Sequence, residues 1–216
     1  AEDILKKQQA YDSGRKIVDL VKKGITPRQI MTPAAFENAI RVDMAMGGST
    51  NTVLHIPAVA KEAGIDIDVN MFDRISRETP HLCTIIPAGP YEMADVDTAG
   101  GIPAVLNRLK HLLKYGMTVG GPSISDIAAS GTVRNSEVIR SQEDAVHAEG
   151  GIAVLKGNIA QSAIIKQTAV DGDMLTHSGP AKVYRSEKDL LDDIEAKRIV
   201  EGDVLVMPYQ GPSGSP

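Results

Sequence analysis

Apolar positions between residues 33 and 63 fall at helical spacing on both sides of a glycine turn. Phe36, Ile40, Met44 and Ala45 precede Gly47-Gly48, and Val53, Leu54, Ile56, Val59 and Ala60 follow until Gly64 supplies a stop. The glycines therefore predict the opening of a helix. Upstream, Thr26 and Thr32 each precede a proline, the arrangement of an N-cap followed by the first helical residue. Downstream, Asn70 with Asp73 three residues on reads as another helix cap. Gly100-Gly101-Ile102-Pro103 then leads into Val105, Leu106, Leu109, Leu112 and Leu113, a helix expected to end at Gly116.

The pattern changes near residues 141–151. From Gly151 onward, short β-rich runs take over: Ile152 to Leu155, Ala163 to Lys166, Ala181 to Tyr184 and Val204 to Met207. Ser186-Glu187-Lys188-Asp189 resembles a capping box that opens a helix through Leu190, Leu191 and Ile194. The expected order is strand, strand, strand, helix, strand, and the fold class is α/β with a mainly helical first part. No internal repeat is present, and low complexity is confined to the Gly/Pro/Ser tail from Gln210 to Pro216.

Composition narrows the function classes. The 216 residues carry 23 basic and 28 acidic side chains, a net charge of −5 that offers no basic footprint to a nucleic acid. No apolar run approaches the roughly 18 residues of a membrane helix, and Ala1-Glu2-Asp3-Ile4 lacks the basic-then-apolar design of a signal peptide. A single cysteine forms no internal disulfide, which fits a reducing compartment and leaves Cys83 as a free thiol or a ligand. With two Phe and no Trp, the core must come from aliphatic side chains.

Two features carry candidate chemistry. In Gly47-Gly48-Ser49-Thr50-Asn51, the glycines admit close backbone approach, and Ser49 or Thr50 is placed to cap the next helix, leaving its amides toward a carboxylate or phosphate. A capped helix after a flexible turn accounts equally for that stretch taken alone. Cys83 lies in a segment stiffened by Pro80 and Pro87, and by itself reads as a small hydrophobe. Zinc is a rival reading because His81 and Cys83 share a face of an extended segment, but His55, His111, His147 and His177 show no ligand spacing relative to them. Asp66-Ile67-Asp68-Val69-Asn70 begins like a calcium loop and fails at Met71 and Arg77, where glycine and glutamate belong. Nucleotide-binding glycine loops and the hydrolase Gly-x-Ser-x-Gly elbow are both missing.

Read in order, the wider text is more specific: Pro33 to Ile40, Gly47 to Asn51 with Val53-Leu54-His55, Thr79-Pro80-His81-Leu82-Cys83, Pro87-Ala88-Gly89, Ala99-Gly100-Gly101-Ile102-Pro103, Glu149 to Asn158, and Gly202-Asp203-Val204-Leu205-Val206. This set resembles the dihydroxy-acid dehydratase family, which includes phosphogluconate and sugar-acid dehydratases, and the likeness runs through essentially the whole chain. The resemblance implies an internal fragment. Residues 1–146 would be the C-terminal portion of the family's cluster-binding α/β domain, and 147–216 the N-terminal portion of its β-rich swivelling domain.

The resemblance further implies an iron–sulfur cluster (2Fe-2S or 4Fe-4S) held by three cysteines, with Cys83 at the third position and the other two upstream. It also implies Mg2+, whose ligands lie outside this chain, and a serine base downstream of Pro216, so that no catalytic residue falls within it. Ser49, Thr50 and Asn51 are candidates to line the substrate or cluster cavity. In the implied reaction, iron accepts the C3 hydroxyl of a 2,3-dihydroxy acid, Mg2+ orients the carboxylate and the serine removes the C2 proton, giving a 2-keto acid. The implied setting is a cytoplasmic homodimer in branched-chain amino-acid biosynthesis, acting on a small dihydroxy acid, with the fragment alone inactive. The alternatives are an aldonate or phosphogluconate dehydratase and a non-catalytic scaffold.

Overall fold

The computed structural model describes residues 4–210. Ala1-Glu2-Asp3 and the Gly/Pro/Ser tail beyond Gln210 lie outside the described residues. The chain divides into two compact units, Ala1–Ala169 and Val170–Pro216. In the first run helices α1 (Ile4–Lys22), α2 (Pro27–Ile30), α3 (Pro33–Ala45), α4 (Thr52–Glu62), α5 (Val69–Glu78), α6 (Met93–Thr98), α7 (Gly101–Arg108) and α8 (Ile124–Ser130). An antiparallel pair follows, β1 (Ile152–Leu155) against β2 (Ala163–Lys166), with Ile152 opposite Lys166. The second unit holds β3 (Ala181–Val183), α9 (Glu187–Glu195) and β4 (Val204–Val206); β3 and β4 are parallel, so α9 lies in the crossover that a parallel pair requires. Mixed helix and small sheets agree with an α/β class.

Several caps form as the sequence predicts. Thr32 Oγ1 accepts the Ala35 N–H at 3.2 Å with Pro33 in the first helical position, and Ser186 Oγ accepts the Asp189 N–H at 3.2 Å. Others differ. Asp68, not Asn70, caps α5: its carboxylate accepts the Met71 N–H at 3.0 Å and also the Asn70 side-chain amide at 2.9 Å. The helix expected to reach Gly116 stops at Arg108. Tertiary hydrogen bonds take over from helical ones there. Gln142 Nε2 donates to Arg108 O at 3.1 Å, while Asn38 donates to Lys114 O at 2.7 Å and accepts its N–H at 2.9 Å.

Two apolar clusters meet at the end of α3. Phe36, Ile40 and Met44 pack with Ala60 of α4, Phe72 and Ile75 of α5 and Ile152 of β1. Ala45, the next residue, packs instead with Leu82, Cys83, Val96, Val105 and Leu109. The strand pair β1–β2, which the sequence places after residue 146, lies in the first compact unit because β1 is fastened to α5. Ser76 Oγ donates to Ile152 O at 2.5 Å, and Gly150 N–H donates to Ser76 O at 2.8 Å.

A polar face of α3 is clamped to α5 by charge. Buried Glu37 pairs with Arg74 and Lys114, and buried Arg41 pairs with Glu78 at 2.5 Å and reaches Thr79 Oγ1 at 3.2 Å. Burial works to raise Glu37, but the hydrogen bonds and charges of Lys114 and Arg74 outweigh it and hold the carboxyl below its usual range. Glu78 is held low chiefly by its hydrogen bond to Arg41. Carboxyls depressed in the folded state bind fewer protons there than in the unfolded chain as pH falls through about 4.3, so their stabilisation is present above that value and lost below it. Thermal melting followed from pH 7 to pH 3 should therefore show a drop that begins near pH 5. Glu37→Gln should flatten the drop and cost about 2 kcal/mol at pH 7.

Candidate functional site

The chain leaves α3 through Gly47 (φ +95°) and Gly48 (φ +70°), both in the left-handed region that side chains avoid. The same place is crowded from two sides. A Cβ on Gly47 would stand 2.9 Å from His81 Nε2, one on Gly48 2.7 Å from Ile152 Cγ1, and one on Gly151 1.8 Å from Gly47 O. Backbone bonds fix the approach: Leu82 and Cys83 N–H both donate to Ala45 O (2.7 and 3.1 Å), and Gly151 N–H donates to Met44 O at 3.2 Å. Three separate stretches of the sequence pattern, around Gly47, Cys83 and Gly150, are thus brought together.

The turn's own anion is internal. Helix α4 opens at Thr52, with Asn51 in the cap position in helical conformation and no hydrogen bond from its side chain, so neither Ser49 nor Thr50 caps it. Instead Thr52 Oγ1 lies 2.8 Å from Asp43 Oδ2 and 2.5 Å from Ser49 O, and the Ser49 N–H also bonds the Asp43 carboxylate. Burial pushes Asp43 above the usual carboxylate range, with Thr52, the Ser49 amide and the charge of Lys166 only partly offsetting it. Ser49 is half-buried, while Thr50 and Asn51 are exposed. Sequence reasoning missed Asp43; its signal was an acidic residue on the last turn of α3, four residues before Gly47.

His81 is also placed at this junction and is 1% exposed. Its Nε2 lies 2.7 Å from Cys83 O, which only accepts, so Nε2 carries the proton; Nδ1 is then a bare acceptor, buried with no partner among the described residues. The ring stacks on His147 at 5.5 Å, and a backbone bridge joins the same two residues. Burial pushes His81 below the usual imidazole range, the charges of His147 and Lys166 add to this, and the Cys83 carbonyl opposes it. His147 was passed over because 66 residues separate it from His81, and pairing across such a gap leaves no spacing signature. Cys83 itself is buried in the apolar cluster, and burial pushes its thiol up to about 12. Among the described residues, no three His, Cys, Asp or Glu side chains converge as a metal site.

The junction combines a carboxylate raised by burial, an imidazole lowered by burial and tight glycine packing. The family model for the N-terminal region of dihydroxy-acid/6-phosphogluconate dehydratases matches residues 1–127, and the model for the C-terminal region matches residues 137–216. The chain belongs to this family. It is 52% identical to a dihydroxy-acid dehydratase of Thermodesulfovibrio yellowstonii over 98% of its own length and 38% of the relative's. Dihydroxy-acid dehydratases of Methanothrix thermoacetophila and Geobacter metallireducens are 48% and 47% identical over 100% of this chain and 40% and 39% of theirs. The chain thus spans about two fifths of the length of these curated relatives.

The close glycine contact yields a contrast between two substitutions. Gly151→Ala forces a methyl group into the Gly47 carbonyl and should cost about 3 kcal/mol or more. Gly14→Ala, in the interior of α1 with nothing within 4 Å of the new methyl, should stabilise by about 0.5–1 kcal/mol. Urea unfolding of both variants against the parent checks the pair.

Proposed function

We propose that this chain is part of a hydro-lyase that dehydrates 2,3-dihydroxy carboxylic acids to 2-keto acids in branched-chain amino-acid biosynthesis. The observation that carries the reading is the succession of both family models along the chain, with relatives named dihydroxy-acid dehydratase aligned across its whole length. In finer terms, we read the helical part as the end of the family's first domain, with a boundary near residues 146–147, and the remainder as the start of the swivelling domain. The complete protein is read as a cytoplasmic homodimer. Among the described residues, no helix is long and apolar enough to cross a membrane.

The family implies an iron–sulfur cluster and Mg2+. The donor set among the described residues does not fit either one: the single thiol lies in an apolar cluster, and no group of three ligating side chains is found among those residues. In this reading the chain supplies the glycine turn and the rigid junction beneath it. On the same reading half-buried Ser49 and exposed Thr50 and Asn51, which follow the glycine turn, offer two hydroxyls and an amide to a hydroxy acid. Asp43 and Thr52 hold that turn from beneath. A sugar-acid dehydratase is the second reading, favoured by the 6-phosphogluconate branch within the matched family.

Two outcomes are expected of the complete enzyme. Its kcat/KM for 2,3-dihydroxyisovalerate should exceed that for aldonic acids by at least about tenfold, the scale of discrimination that a shaped pocket achieves; the reverse order would establish the sugar-acid reading. Ser49→Ala combined with Asn51→Ala should lower kcat/KM about tenfold with the melting temperature held, as two lost hydrogen bonds to substrate require. Unchanged turnover in steady-state assays would remove these residues from the cavity.

A further inference from the structure

We infer that Cys83 is a packing residue of the apolar core, so that every thiolate holding a cluster in the complete protein comes from chain outside these 216 residues. This rests on the reading that the complete protein carries an iron–sulfur cluster. Cluster iron is held by several thiolates that converge on a shared, enclosed space. The Cys83 side chain borders no such space among the described residues. Its side chain is 1% exposed and packs among Ala45, Leu82, Val96, Val105 and Leu109, all fully or almost fully buried. Two cavities of about 560 and 530 Å3 in the same unit open elsewhere, one against α1 and Gly120 and the other between α3, α7 and residues 116–124; Cys83 lines neither.

The backbone closes the other route, in which the segment swings out to present the thiol. Cys83 N–H is bonded to Ala45 O at 3.1 Å, and its carbonyl accepts from the buried His81 ring at 2.7 Å. Arg140 N–H donates to the neighbouring Leu82 O at 3.1 Å. Turning the thiol outward would break bonds on both flanks and open a hole in the core. Pro80 and Pro87 therefore stiffen a segment whose task is to carry Leu82 and Cys83 into the core and His81 against Gly47.

The test uses the complete enzyme purified without oxygen, as parent, Cys83→Ala and Cys83→Ser. Iron and sulfide per chain and the visible absorption of the cluster should be the same in all three, with melting lowered by a few degrees as a small buried side chain is trimmed or made polar. Loss of iron from Cys83→Ala with the far-ultraviolet circular dichroism retained would overturn the inference. A second measurement needs no variant. After iron is removed by chelation from the parent, iodoacetamide and peptide mass spectrometry should find Cys83 unmodified until denaturant is added, whereas a vacated ligand thiol becomes modified in the native state and would equally overturn it. A parent enzyme with no iron or sulfide would instead sink the cofactor reading, and the alkylation result would still decide where the Cys83 side chain lies.

Discussion

The near-contact of Gly47 and Gly151 is the constraint that organises the first unit. An alanine methyl at residue 151 would stand 1.8 Å from the Gly47 carbonyl oxygen, well inside any van der Waals distance. With hydrogen in its place, the end of α3 and the start of β1 lie backbone to backbone, and Gly151 N–H reaches Met44 O. That approach seats Ile152 over Gly48 and brings Gly150 to Ser76 on α5. Larger residues would hold the strand pair away from the helices and expose Ile152, which is 1% exposed as it stands.

Helix α3 can serve this junction because it is enclosed on nearly every side, which is unusual for a helix of a small unit. One stripe, Phe36, Ile40 and Met44, faces the cluster with α4 and α5. Glu37 and Arg41, one residue round, are also buried but are compensated by partners on α5 and at Lys114. Asn38 holds the Lys114 backbone, Asp43 supports the glycine turn, and Ala45 enters the second cluster. A helix that commits each face to a different neighbour has little freedom to shift. Its C-terminal carbonyls are then a fixed point to which Leu82, Cys83 and Gly151 can attach.

Much of this was legible in the sequence. Helical spacing around Phe36, Ile40 and Met44 located α3, threonine before proline located its start, and short β-rich runs after Gly151 located the four strands. Local signals located local structure. What escaped was decided by partners far along the chain. The segment after Arg108 has a helical pattern, yet Asn38 and Gln142 claim its backbone groups and bend it into a turn. Asp68 displaced Asn70 as a cap because a carboxylate offers two acceptors and can satisfy both an amide and a neighbouring side chain. Helix α8 did carry a readable signal, Ser123 with Asp126 three residues on, and that capping pair is formed.

The candidate site shows why residue type is a weaker guide than surroundings. Cysteine, histidine and aspartate all carry reactive atoms, and all three lie within one junction of α3, the segment from His81 to Cys83 and the glycine turn. Cys83 belongs to an apolar cluster with Ala45, Leu82, Val105 and Leu109 and is 1% exposed. Asp43 has a hydroxyl and an amide pointed at it, enough to orient the carboxylate although burial still raises its affinity for a proton. His81 has one ring nitrogen fixed on a carbonyl and the other bare, a state that costs free energy inside a protein unless the surrounding fold or a bound molecule compensates. The sequence draws the eye to the sulfur because cysteine occurs once. The energetics point to the imidazole, since its buried Nδ1 has no hydrogen-bond partner among the described residues.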